Sequence, residues 1–150
     1  MTLVATAERA IDAPASDLYT YVADFTEHHP HILPSAFSDF TVEAGGIGIG
    51  TVTSSRFTVG GRTQLIRTRV TRAEPGRLIE EDVIDRPMTT SFTFSPSGAR
   101  TTVRIETRWS PQRGVAGLLE RLFAPRMIGK VYDEELRKLE AYAARRAAAG

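Results

Sequence analysis

Leu118, Leu119, Leu122, Phe123, Met127, Ile128, Val131, Tyr132, Leu136, Leu139 and Tyr142 recur at steps of three and four residues toward the end of the chain. That spacing stacks apolar side chains into one stripe along a helix, predicted here over residues 112–146. A stripe of this length needs an equally long apolar surface to lie against. The segment before it, residues 39–109, reads as a run of antiparallel strands able to supply one. A curved sheet wrapped along one long helix rarely fills its interior, so the pattern points to a cavity. Pro125 interrupts the stripe and predicts a break or bend, because proline lacks the N–H of the helical ladder and its ring crowds the preceding turn. Gly114, Gly117 and Gly129 loosen the same region. Two readings follow: a bend that fits the helix to the sheet, or a mobile first segment, residues 115–123, acting with the His31 region as a lid.

The rest of the chain divides cleanly. Residues 3–12 have strand character and stop at Ala13-Pro14, where proline suits the first turn of a helix. Leu18, Tyr19, Val22 and Phe25 place a helical stripe over residues 15–25, and a shorter helix or turn over 26–33 is hemmed by Pro30 and Pro34. Strands are expected at 39–44, 50–59, 62–73, 77–84, 88–95 and 100–109, separated by Gly45-Gly46, Gly60-Gly61, Glu74-Pro75-Gly76, Arg86-Pro87 and Pro96-Ser97-Gly98-Ala99. With Pro96 to Ala99 as a loop, Phe94 faces Thr101 and Phe92 faces Val103. Alternation then collects Met88, Phe92, Phe94, Val103, Ile105 and Trp109 on one face, as an antiparallel sheet covered on one side requires. For the preceding hairpin, a turn at Glu74 to Gly76 sets Val70 opposite Glu80 and Thr68 opposite Asp82. Those two carboxylates then point inward.

With 150 residues the chain suits one domain, 1–150. Nineteen basic side chains against eighteen acidic ones leave a formal charge of +1, which gives no support for a nucleic-acid partner. Absence of cysteine excludes disulfides, thiol catalysis and thiolate metal sites. The start, Met1-Thr-Leu-Val-Ala-Thr-Ala-Glu-Arg, lacks the basic and apolar blocks of a signal peptide, and no apolar run is long enough for an integral membrane segment. A cytoplasmic location is the expectation by elimination.

Few residues carry candidate chemistry. His28, His29 and His31, with Asp24 and Glu27 nearby, offer acid–base or metal-binding groups. Their spacing matches no strong metal motif, and a solvated helix end is the simpler reading. Glu80 and Asp82, if inward, would have raised pKa values through burial and could donate a proton. Arg56 on the neighbouring strand could neutralise them or grip an anionic head group. Gly45-Gly46-Ile47-Gly48-Ile49-Gly50 lacks the Lys-Ser/Thr and helix of a phosphate loop and reads as a tight strand connection. Met88, Phe92, Phe94 and Trp109 serve equally as core or as cavity wall.

Several local motifs point to one family. Ala10-Ile11-Asp12-Ala13-Pro14 leading into Ala15-Ser16-Asp17-Leu18-Tyr19 is similar to the "I-x-A-P" opening step of the START-like superfamily (SRPBCC). Ala23-Asp24-Phe25 with Pro30 and Pro34 resembles its "D-x-x-x-x-P" helix pair. Val70-Thr71-Arg72-Ala73-Glu74-Pro75-Gly76-Arg77-Leu78 resembles its "V-x-x-x-x-P-x-R-L" hairpin, and Leu136-Arg137-Lys138-Leu139-Glu140 its closing helix. Members often carry a tryptophan before the proline that ends the second helix, where this chain has His31-Ile32-Leu33-Pro34. The resemblance, which includes the polyketide cyclase/dehydrase and lipid-transport families, implies an α+β helix-grip fold. Its parts are a curved antiparallel sheet of about seven strands, a long C-terminal helix gripped by it, and two short helices after the first strand. It also implies a partner: a small hydrophobic molecule (lipid, polyketide or isoprenoid-like) held in an internal cavity; with no metal or nucleotide motif in the chain, no cofactor and no metal are expected. On this reading Arg56, Asp82, Met88, Thr90, Phe92, Val103, Ile105, Trp109, Phe123 and Met127 contact the ligand. The alternative is a cyclase or dehydratase in which Asp82 or His29 moves a proton.

Overall fold

Turn residues and β-branched runs cut the chain as the pattern predicts, and the computed structural model describes residues 1–150 throughout. Strand β1 (Leu3–Ile11) leads through Pro14 into helix α1 (Ala15–Ala23), and a single 3₁₀ turn follows at His29–His31. The six strands β2 (Phe37–Ala44), β3 (Val52–Val59), β4 (Arg62–Glu74), β5 (Leu78–Val83), β6 (Met88–Ser97) and β7 (Arg100–Trp109) run to helix α2 (Gly114–Ala149). All neighbours are antiparallel, in the order β1-β7-β6-β5-β4-β3-β2. A seven-stranded curved sheet around one long C-terminal helix is the helix-grip fold. No helix is long and apolar enough to cross a membrane.

Two hairpins depart from their expected register, with different consequences. At the β6–β7 turn only Gly98 and Ala99 lie between the paired Ser97 and Arg100. Gly98 has φ +63°, the conformation a two-residue hairpin demands of its first central residue and one that glycine adopts without strain. Phe94 therefore faces Val103, not Thr101, and Phe92 faces Ile105. A shift of two residues preserves the faces, so the apolar set stays together.

At β4–β5 the outcome reverses. Arg72 pairs with Glu80, but Val70 pairs with Glu81, because a bulge at Thr71 inserts one residue into β4. One residue is enough to turn every following side chain to the other face. Glu81, not Glu80 or Asp82, shares the inner face with Val70.

The main core lies between the inner sheet face, α1 and the second half of α2. Leu18, Val22, Ile79, Val103, Ile105 and Leu136 are wholly buried there, with Phe92, Phe94 and Leu139 alongside. A smaller cluster of Leu3, Ala5 and Trp109 sits under the middle of α2, where Ala124 and Ile128 pack on it. Each Leu- or Phe-sized side chain so buried stabilises the fold by about 1.5–3 kcal/mol relative to exposure.

Helix α2 departs from expectation in two respects: of the break or bend expected at Pro125 no break occurs, and the apolar stripe is only partly covered. It is continuous through Pro125. The carbonyl of Arg121 loses its ladder partner, but Arg121 is exposed and water can satisfy the group. The stripe, moreover, is covered over only part of its length: apart from Gly117, every buried residue of α2 lies from Tyr132 onward. Leu118, Leu119, Leu122 and Phe123 are each more than half exposed, at 51–58%.

Candidate functional site

A cavity of about 850 Å³ lies between the concave sheet face and the first half of α2 and opens to solvent. Its walls are mostly apolar: Phe25, Phe37, Phe40 and Phe57 on one side, Ile66, Val83, Met88, Phe92 and Trp109 along the sheet, and Leu119, Phe123, Met127 and Ile128 from the helix. Inward side chains of β3 and β4 add Thr53, Ser55 and Thr68, with the Thr53 and Thr68 hydroxyls bonded to each other at 2.9 Å.

The roof is tied down at two points. The Glu120 carboxylate accepts the Trp109 indole N–H at 2.6 Å and the Gln112 backbone N–H at 3.0 Å, joining the helix to the end of β7. Gly117 must be glycine, because a Cβ there would stand 1.7 Å from the Gln112 carbonyl oxygen. On the opposite side, the Gly60 turn between β3 and β4 approaches Met127 so closely that a Cβ on Gly60 would lie 3.1 Å from Met127 Cε.

One row of the sheet brings polar groups to this interior. Val70, Glu81, Thr90, Thr107 and Ala5 stand side by side across β4, β5, β6, β7 and β1. The Thr90 and Thr107 hydroxyls bond at 2.7 Å, and Thr107 bonds in turn to the Tyr132 hydroxyl on α2. Burial pushes the Tyr132 phenol up to about 12. Glu81 is half-buried and lines the cavity, and desolvation raises its carboxyl to about 7. Its side chain faces no basic partner across the row.

His29 and Glu135 form the second polar feature. The imidazole of His29 is stacked on Phe25, with ring centroids 4.6 Å apart, and lies nearly parallel to Phe40 at 6.1 Å. Its Nδ1 lies 2.8 Å from the Val22 carbonyl oxygen. A carbonyl can only accept, so the neutral ring carries its proton on Nδ1 and leaves Nε2 as a bare acceptor. Burial lowers the His29 pKa to about 4 despite that backbone bond. Nε2 stands 3.8 Å from Glu135 Oε2, and both residues are about 95% buried. The Glu135 carboxyl is raised well above the usual carboxylate range by burial, then by the neighbouring charges of Glu81 and Glu134, with Lys138 opposing. The pair sets a carboxyl whose pKa burial raises beside an imidazole whose pKa burial lowers.

Of the residues expected from sequence, His29, Met88, Thr90, Phe92, Trp109, Phe123 and Met127 line the cavity. Four do not. Arg56 points outward and pairs with Asp39 at 3.1 Å, because it alternates with the inward Ser55 and Phe57. Asp82 is turned to the outer face by the Thr71 bulge and accepts a hydrogen bond from Thr89 at 2.7 Å. Val103 and Ile105 face inward but are sealed within the core that Leu136 and Leu139 complete.

The three histidines separate. The His28 ring bonds the Tyr142 hydroxyl through Nδ1 at 2.7 Å, and His31 stacks on Tyr142 at the surface. Ligating atoms of Asp24, Glu27 and His28 do lie within 4.8 Å of one another. Asp24, however, already accepts the Thr26 and Glu27 backbone N–H groups. The His31 region is no free lid either: Lys138 bonds the Leu33 carbonyl and Glu134 binds Ser35, anchoring it to α2.

Sequence reasoning missed Glu81, Tyr132 and Glu135. Glu135 did leave a trace: Ile128, Glu135 and Tyr142 are seven residues apart, so a carboxylate sits on the apolar stripe itself.

The sequence profile of the family described as polyketide cyclase / dehydrase and lipid transport matches residues 2–144. No curated protein matches the sequence significantly. Among solved structures, the KanY protein, determined by NMR in solution, is similar over 96% of this chain and 99% of its own, with a TM-score of 0.85 and 26% identity. The ZhuI aromatase/cyclase from Streptomyces sp. R1128 covers 100% of this chain and 99% of its own at TM-score 0.83 and 16% identity. Major latex-like protein 151 from Panax ginseng covers 95% and 98% at TM-score 0.74 and 12% identity. At such identities the last two establish a shared fold and nothing finer.

Proposed function

Because the chain belongs to the polyketide cyclase / dehydrase and lipid transport family, we propose that it binds one small, mostly apolar molecule in the cavity under the first half of α2, as a carrier or sensor. The observation that carries this reading is the cavity itself: about 850 Å³, walled by aromatic and aliphatic side chains and left open beside an exposed apolar helix segment. That volume suits a lipid, polyketide or isoprenoid-like compound. Burying about 300 Å² of apolar ligand surface gains roughly 7 kcal/mol at about 25 cal/mol/Å². Association and ordering costs then leave an affinity in roughly the micromolar range. Met88, Phe92, Trp109, Phe123 and Met127 supply the contact area, while Thr90 and Glu81 orient a polar group.

A second reading, proton-transfer catalysis on a bound polyketide-like substrate, draws on one specific feature. His29 offers a bare Nε2 in a tautomer fixed by Val22, and Glu135, its carboxyl raised well above the usual range by burial, stands beside it. A base and an acid side by side at a cavity wall are the parts that enolisation or dehydration needs. His29 keeps the role expected from sequence, and Glu135 replaces Asp82 as the carboxyl.

Native mass spectrometry of the purified protein, with organic extraction of anything bound, tests the binding reading. A co-purifying hydrophobic molecule, or saturable quenching of Trp109 fluorescence by added hydrophobic compounds, is the expected result. A clean apo mass together with no saturable response would contradict it. Turnover of a polyketide-type substrate that disappears in both His29→Ala and Glu135→Gln would move the assignment to the enzyme.

A further inference from the structure

We infer that the cavity selects a cation: an apolar molecule carrying a protonated amine, seated with its nitrogen against the Glu135 and Glu81 carboxyls. The inference rests on the reading that the cavity binds an apolar molecule and adds the charge of its head group.

Three observations carry it. Glu135 is 4% exposed, yet its nearest basic atom, His29 Nε2, stands 3.8 Å away, beyond a good hydrogen bond. No buried side-chain oxygen or nitrogen is sealed off without a partner, so the carboxyl oxygens of Glu135 reach the cavity that this residue lines. An unpaired carboxyl is therefore aimed at the ligand. Next, Glu81 lines the same cavity and is close enough to act on Glu135 electrostatically. Finally, no cation inside balances the two. Arg62 and Arg86 are the only basic side chains besides His29 along the walls; Arg62 is exposed at the start of β4, eight residues before Val70 in the Glu81 row, and Arg86 is engaged by Gln64 at 2.7 Å and by Asp85. Lys138 acts on Glu135 from outside the cavity, where it bonds the Leu33 carbonyl and pairs with Glu134.

An anionic head group, such as that of a fatty acid, would meet two carboxyls and no free cation at this depth. A neutral head group would gain ordinary hydrogen bonds. An ammonium would gain charge-assisted bonds that the surrounding low-dielectric walls strengthen. Burial raises the Glu135 carboxyl well above the usual carboxylate range and the Glu81 carboxyl to about 7, so a carboxyl proton is available here at pH 7. An arriving ammonium favours the carboxylate, so the proton leaves to solvent: ammonium plus carboxylic acid become an ion pair plus one released proton.

Isothermal titration with decylamine hydrochloride, decanol and sodium decanoate at pH 7, each in phosphate and in Tris, tests this. Decylamine should bind about 10-fold or more tighter than decanol, and decanoate more weakly than either. Decylamine binding should also release protons, seen as a buffer-dependent heat that decanol lacks. Glu135→Gln should bring the amine and alcohol affinities within about threefold. Decylamine binding no tighter than decanol, decanoate binding tightest, or no proton release would each overturn the inference while leaving hydrophobic binding intact. Failure of all three probes to bind would overturn the proposed function itself. If Glu135→Gln does not fold, the proton release of the unaltered protein still decides.

Discussion

Residues 115–123 and residues 132–143 belong to one helix and carry apolar side chains at the same spacing, yet they live in different surroundings. In the second segment Leu136 and Leu139 are wholly buried against the sheet and α1, and Tyr132, Tyr142 and Ala143 nearly so. In the first, Val115, Leu118, Leu119, Leu122 and Phe123 are all more than half exposed. The first segment is held by the Glu120 carboxylate and by glycine-permitted close approaches, not by a packed interface. The difference shows how one helix can both stabilise a fold and leave room beneath itself. The gripped half closes the core, and the overhanging half roofs a cavity. Apolar spacing reports which face of a helix seeks a partner, but not whether protein or ligand fills the place.

The largest test of this contrast is a pair of truncations. Leu136→Ala should cost about 2–5 kcal/mol of unfolding free energy, because it leaves a cavity in a closed core. Leu122→Ala, with the same chemistry on the same helix, should cost less than about 0.5 kcal/mol. Urea unfolding of both variants measures the gap, and equal losses would break the contrast.

Acid–base groups between the halves give the next effect. His29 has a lowered pKa, so its contribution to stability is complete above about 6.5 and is lost as pH falls toward 4. At roughly 1.36 kcal/mol per unit the loss approaches ~3 kcal/mol. Glu135 and Glu81 have raised pKa values, so their contributions are complete below the ordinary carboxylate value of 4.5 and are lost as pH rises, for Glu81 through about 7. The protein should therefore lose stability on both sides of a mildly acidic optimum. His29→Gln should flatten the acid limb, and Glu135→Gln the alkaline limb, in urea titrations from pH 4 to 9.

Smaller effects belong to the roof. Glu120→Gln weakens the charge-assisted bond to Trp109 and should destabilise the overhanging half by about 1 kcal/mol. Amide exchange at 114–124 should speed up severalfold while 132–143 stays unchanged. Phe123→Ala should weaken a bound hydrophobic probe about threefold to tenfold by losing wall area, with little change in the melting temperature.

Much of the architecture could be read from periodicity alone. Alternation along β6 and β7 gathers Met88, Phe92, Phe94, Val103, Ile105 and Trp109 on one face, and it does so even though the turn is two residues shorter than expected, because an even shift preserves the faces. The same reasoning fails on β5, where the single extra residue at Thr71 turns Asp82 out and Glu81 in. Nothing in the local sequence marks that bulge. Arg56 fails because no register was read for its strand: alternation with the inward Ser55 and Phe57 turns it outward to Asp39. Of the interior polar groups, His29 and Thr90 were legible as candidates, and Glu135 left only a trace, as a carboxylate in an apolar stripe. Its pairing with His29 depends on the path between α1 and β2, which periodicity does not describe.

Hydrogen exchange along α2, measured without and with a saturating hydrophobic ligand, tests the two-part helix most directly. Amides of 132–143 should exchange only through global unfolding in both states. Those of 114–124 should exchange at least tenfold faster in the free protein and slow markedly when ligand is bound. Equal protection of the two segments in the free protein, unchanged by ligand, would contradict the division of α2 into an anchor and a roof.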